Sequence, residues 1–114
     1  MIIKPENMKV VSEPNKATGK ILELKHLITD NAIPKNLNLF AHATLEIGAE
    51  VPYHQHIGET ETYYILSGCG TYNDNGEEIV VKSGDVTFTA DGESHGLRNN
   101  GTEPLHFMAL IVSE

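Results

Sequence analysis

Between Leu37 and Ile47 the chain alternates. Leu37, Leu39, Ala41, Ala43, Leu45 and Ile47 are apolar, and Asn38, Phe40, His42, Thr44 and Glu46 stand between them. A period of two is that of a strand whose two faces meet different surroundings. Short strand-like runs follow at 51–56, 61–66, 69–73, 78–82, 86–89, 95–99 and 105–112, each bounded by turn residues. Asn75-Gly76 between two such runs predicts a tight hairpin, because both residues tolerate positive φ. The run at 20–29, with Ile21, Leu22, Leu24, Leu27 and Ile28, fits either a strand or a helix; no convincing N-cap precedes it, and strand is the expectation. Residues 30–36, with Pro34, read as a loop. Residues 1–19 contain Pro5, Pro14 and Gly19 and only the apolar pair Val10-Val11. They predict an arm lying on the surface or along a neighbouring subunit. About nine strands at near-regular spacing leave no room for a βαβ crossover and indicate an all-β sandwich or barrel. The expected organisation is one domain at 20–114 behind an arm at 1–19.

Composition narrows the partners. The 114 residues carry a formal charge of -8, and no Lys/Arg cluster offers phosphates a landing surface. Nucleic acid and anionic membrane are therefore excluded as expected partners, and a small molecule is favoured. Cys69 is the single cysteine, so neither an intrachain disulfide nor a multi-cysteine zinc site can form; it reads as a small buried hydrophobe on a strand. No apolar run approaches the ~20 residues of a membrane span. The first five residues lack the basic region and apolar core of a secretion signal, which makes the cytoplasm the expected location.

The chemistry concentrates between Gly48 and Gly68. His54 and His56 are two apart in an extended run and so share a face. Glu61 follows a loop able to bring a carboxylate back beside them, and His95, after the turn-like run 91–94, is the best fourth group. Three imidazoles and one carboxylate carry a charge of only -1. They suit one divalent transition metal (Fe, Mn, Ni, Co or Zn) and not calcium, which takes oxygen cages. Glu59 shares the parity of Glu61 and competes with it as the carboxylate ligand; otherwise it stands at the rim, or behind the ligands as an acid or base.

These spacings resemble the two motifs of the cupin superfamily, small double-stranded β-helix (jelly-roll) barrels. Gly48, His54, His56, Glu61 and Gly68 fill every position of the first motif. Gly84, Gly92, His95 and Asn99 match the second, where Ala90 replaces the usual proline. A proline offers no metal-binding group, so that departure bears on turn rigidity and not on ligation. The resemblance covers residues 37–112. It implies the jelly-roll cupin barrel, His54, His56, Glu61 and His95 as metal ligands, the glycines as turn residues and Asn99 as a structural residue at a strand end. It leaves the reaction open, because cupins include dioxygenases, isomerases, decarboxylases, lyases and plain binders.

Parity then suggests what lines the cavity. Tyr63 lies two beyond Glu61 and Leu97 two beyond His95. On the last strand Phe107, Ala109 and Ile111 form one inward set, and His106, Met108 and Leu110 the other; the first is the more apolar and is preferred. His42 is a further pocket candidate, since the inward face of its strand is not evident. Tyr53, Tyr64 and Tyr72 read as structural or surface aromatics, and His26 and His106 as solvated strand residues. Two functions fit: a metal-dependent enzyme of dioxygenase or isomerase/lyase type acting on a small organic molecule, or a non-catalytic binder of a sugar or organic acid. Open strand edges in so small a chain further predict a homodimer formed by strand exchange or sheet pairing.

Overall fold

The computed structural model describes residues 1–29 and 32–114. Asp30 and Asn31, part of the expected loop at 30–36, lie outside the described residues. After a 3-10 turn at Pro5–Asn7 the described residues form ten strands: β1 (Lys9–Pro14), β2 (Ile21–His26), β3 (Leu37–Leu45), β4 (Glu50–Gln55), β5 (Glu59–Ser67), β6 (Cys69–Asp74), β7 (Glu77–Lys82), β8 (Val86–Thr89), β9 (Ser94–Arg98) and β10 (Leu105–Ser113). They form two antiparallel sheets, one in the order β1-β2-β3-β10-β5-β8 and one in the order β4-β9-β6-β7. The sheets face each other without closing, which is a jelly roll, as the strand pattern predicts. Among the described residues no helix is long and apolar enough to cross a membrane.

One strand was not expected. The segment read as an arm is tied in by β1, which pairs along its whole length with β2 from Lys9↔His26 to Pro14↔Ile21. The mostly exposed strand extends the larger sheet by one edge and adds nothing to the core. Pro14 can sit at its end because an edge strand spares an amide donor there.

The core is what the alternating pattern buries. Ala43 and Leu45 from β3, Ile65 from β5, Leu97 from β9, and Leu105, Phe107 and Ala109 from β10 fill the space between the sheets. The expected hairpin forms at Asn75-Gly76, with φ of 52° and 99°. Gly68 is required twice over: its φ is +85°, and a Cβ there would lie 2.7 Å from the Pro104 carbonyl. That glycine lets the chain leave β5 and enter β6 against the last strand. Asn99 is fully buried just beyond β9. Its amide donates to the carbonyls of Leu45 and Glu103, and its oxygen accepts the Gly101 N–H. These bonds satisfy backbone groups that the crossing between sheets would leave unpaired. Cys69 is exposed, contrary to expectation. Gly70 and Tyr72 take the inward positions of β6, so the cysteine, one residue earlier, must point out.

Candidate metal centre

His54, His56, Glu61 and His95 arrive from three strands and one strand end, and each is placed by backbone pairing. β4 pairs with β9 so that His54 lies opposite His95, after an irregularity between Val51 and His54 that re-aims the strand. His56 follows β4 and is latched to the turn before β9: its N–H donates to the Glu93 carbonyl, and its carbonyl accepts from Gly92. Glu61 sits on an inward position of β5, between Thr89 of β8 and Ile111 of β10. His56, Glu61 and His95 are buried, whereas His54 stands at the open rim.

The four donor atoms converge. His56 Nε2 lies 3.1 Å from His54 Nε2, 3.0 Å from His95 Nε2 and 3.0 Å from Glu61 Oε1. His95 Nε2 lies 2.8 Å from the same carboxylate oxygen. Two ligands each ~2.1 Å from an ion and at right angles to each other are separated by about 3.0 Å, against about 3.4 Å at tetrahedral angles. The observed spacings match the right-angled arrangement.

The opposite ring nitrogens decide what these atoms are. His54 Nδ1 donates to the Pro52 carbonyl at 2.6 Å, and His56 Nδ1 donates to Glu59 Oε1 at 2.8 Å; both partners can only accept. His95 Nδ1 lies 2.9 Å from the Tyr72 hydroxyl, which itself lies 2.9 Å from Thr89 Oγ1. A Tyr72 hydroxyl that donates to Thr89 is free to accept from the imidazole, and a metal on Nε2 would require that arrangement. His54 and His56 thus hold a proton on Nδ1, and with the same tautomer at His95 all three turn Nε2 lone pairs towards each other and towards a carboxylate. Four acceptors at this spacing repel unless a cation sits among them, and anchored imidazoles of this kind are the usual outer support of metal ligands. This group could hold a metal ion.

The surroundings are dry and aromatic. Tyr63 stacks beneath His95 with ring centroids 5.1 Å apart and meets Phe107 at 4.6 Å. Burial, reinforced by the charge of Glu61, pushes the Tyr63 phenol well above its ordinary range. Burial also raises Tyr72, and the hydroxyls of Thr87 and Thr89 partly offset it. The hydrogen bond from His56 holds the Glu59 carboxyl below its usual range against partial burial, helped by the Asn38 amide.

The other expected site residues separate into groups. Tyr63, Leu97, Phe107 and Ala109 do point inward but are almost completely buried; they are the packed floor under the four donors, because aromatic rings and Leu97 fill the gap between the sheets. Ile111 shares their face but is only half-buried, opposite Glu61. Glu59 does not line the interior: it backs His56 and accepts from Asn38. His42 is a correction. Ala41, Ala43 and Leu45 take the inward positions of β3, so His42 lies on the outer face of the larger sheet, 3.0 Å from His106 Nδ1. Burial first, then His106 and Lys25, lower its pKa, with Glu23 opposing them. Tyr72 is the residue the sequence reading passed over: it is 3% exposed and touches the site through His95. Its signal lies in the pairing of β6 with β9, which sets Tyr72 opposite Leu97 and Asp74 opposite His95.

Tyr72→Phe keeps the ring but leaves His95 Nδ1 without its hydroxyl partner. Metal affinity, measured by competition with a chelating dye, is expected to weaken by about 10- to 100-fold, the usual cost of losing such a support. Unchanged affinity would remove Tyr72 from the site.

Comparison with known proteins agrees with this geometry. A protein of Thermotoga maritima named oxalate-binding protein is 39% identical over 98% of this chain and 93% of its own length. A crystal structure of a predicted oxalate decarboxylase, also from Thermotoga maritima, superposes with a TM-score of 0.90 at 36% identity, covering 100% of both chains. A putative sugar phosphate isomerase from Acidithiobacillus ferrooxidans shares the fold alone, with a TM-score of 0.82 at 24% identity over 99% of this chain and 75% of that one. The family described as Cupin domain matches residues 41–112. This chain belongs to the cupin family.

Proposed function

We propose that this chain binds a small dicarboxylate of the oxalate class through one divalent transition metal held by His54, His56, Glu61 and His95. The observation that carries the reading is the convergence of three anchored Nε2 atoms and one carboxylate oxygen. A divalent ion held by this donor set of charge -1 would keep a net positive charge, and a six-coordinate ion there would have two positions left for a ligand. Two neighbouring carboxylates can occupy such a pair together. Arg98 pairs with Glu78 and Lys25 lies on the outer face of β2, so neither offers the anion a cation at the site. The relative named for oxalate binding supports the same ligand class.

Binding is favoured over turnover by the state of Glu59. It stands beside the four donors without being one of them, and both its oxygens are engaged, by His56 and by Asn38. Glu59 is therefore not free to act as a general acid or base beside the donors. Metal-loaded protein is expected to melt higher as oxalate is added, by an amount equivalent to about 2.7 kcal/mol at a hundredfold excess over Kd, with no effect on metal-free protein. Formate or carbon dioxide release would replace binding by catalysis. No oxalate-dependent stabilisation of metal-loaded protein would overturn the ligand class.

A further inference from the structure

The two sheets part along one side of the molecule. β8 ends the larger sheet and β7 ends the smaller one, and among the described residues no ladder joins them. Between them lies a cleft of about 450 Å³. Strand parity builds its walls. Tyr72 on β6, Val81 on β7 and Thr87 on β8 take inward positions and are buried, and Ile79 and Phe88 continue the apolar wall to the surface. Thr87 is the exception in this wall. Its side chain is 8% exposed, and among the described residues its hydroxyl is the buried side-chain group that forms no hydrogen bond. It lies close enough to Tyr72 to ease ionisation of the phenol, yet the phenol is bonded to Thr89 and His95 instead. A buried hydroxyl without a partner costs free energy, which a bound molecule that pairs with it gains back.

We infer that this cleft binds a small, uncharged, apolar alcohol, with its hydroxyl on Thr87 Oγ1 and its hydrocarbon body against Val81, Ile79 and Phe88. A concave, mostly apolar hollow of this size with one placed polar group is the usual form of a small-molecule site. Charge narrows the class. Asp74 and Asp85 lie in the lining, Asp74 paired with Glu77 at one end of β7 and Asp85 accepting the Lys82 N–H at the other, so an anion is repelled. An ammonium group would have to leave water to reach Thr87, and a neutral hydroxyl makes that move at far lower cost. The cleft is not the metal centre. Tyr72 stands between the two, and its hydroxyl meets His95 at Nδ1, the ring nitrogen turned away from the four converging donors. The inference therefore rests on neither the metal nor its ligand.

Amide NMR on the full chain tests it, with benzyl alcohol, toluene and benzoate as probes that share one ring. Benzyl alcohol is expected to shift the amides of Val81, Thr87 and Phe88 and to saturate with a Kd of about 1 mM, in keeping with its few non-hydrogen atoms. Toluene lacks the hydroxyl and is expected to bind about 3- to 10-fold more weakly; benzoate is expected to leave these amides unmoved. Thr87→Val keeps the shape and removes the unpaired oxygen. It is expected to fold with a Tm no lower than the parent's and to bind toluene at least as well as benzyl alcohol. No shift at these amides with about 5 mM benzyl alcohol would leave the cleft to water and overturn the inference. Toluene binding the parent as tightly as the alcohol, or an undiminished preference for the alcohol in Thr87→Val, would overturn the pairing with Thr87. Benzoate acting on the same amides would overturn the stated ligand class.

Discussion

His56→Ala is expected to abolish metal binding at concentrations that saturate the parent chain. His56 is the hub of the site: its Nε2 is within 3.1 Å of each of the other three donors, and its Nδ1 is fixed by Glu59. Four-ligand structural zinc sites bind with roughly 10–16 kcal/mol, so one ligand accounts for about 2.5–4 kcal/mol, or some 10²- to 10³-fold in affinity. The metal-free protein should barely notice. Removing one of four mutually facing acceptors relieves repulsion while it frees Glu59, and the two effects oppose each other. The expected result is therefore a lost metal-dependent rise in Tm with a metal-free Tm close to the parent's. His42→Ala, on the far side of the larger sheet, should titrate metal like the parent. Equal loss in both variants would mean that the histidines act through stability and not through ligation.

Phe107→Ala is expected to produce the largest loss of stability, about 3–5 kcal/mol from cavity formation and lost transfer energy. Phe107 is 1% exposed and lies between Ala43 of β3 and Ile65 of β5, with its ring against Tyr63. Against a total of roughly 5–15 kcal/mol for a domain, that is enough to leave a marginal protein partly unfolded. At about 4–8 °C per kcal/mol the Tm should fall by well over 10 °C. Urea denaturation of metal-free protein checks it: the midpoint should drop with an unchanged slope. A loss below 1 kcal/mol would show that the sheets close over the gap and that the floor of the site is less rigid than its packing indicates. Tyr63 links this variant to the site, since the ring resting on Phe107 also supports His95.

Local pattern carried much of this structure. The alternation of β3, the hairpin at Asn75-Gly76 and the group His54, His56 and Glu61 depend on residues near one another in sequence, whereas His95, 39 residues beyond His56, was legible through the turn before it and the second family motif. What escaped depends on pairing between distant segments. β1 has no strong pattern of its own, and only the ladder with β2 makes it a strand. Tyr72 reaches the site because β6 lies beside β9. The side taken by His42 was ambiguous for a physical reason: the outer face of the larger sheet is nearly as apolar as the inner one, so polarity could not separate the two faces of its strand. Exposed Cys69 followed from a one-residue choice of parity, which a single cysteine beside two glycines does not reveal.

The four-donor site itself is tested most directly by diffraction from untagged protein purified without chelators, with anomalous data collected across the absorption edges of the candidate metals. The account predicts one ion per chain, bonded to Nε2 of His54, His56 and His95 and to the Glu61 carboxylate. An ion held elsewhere, or rings turned away from one another with no ion between them, would contradict it.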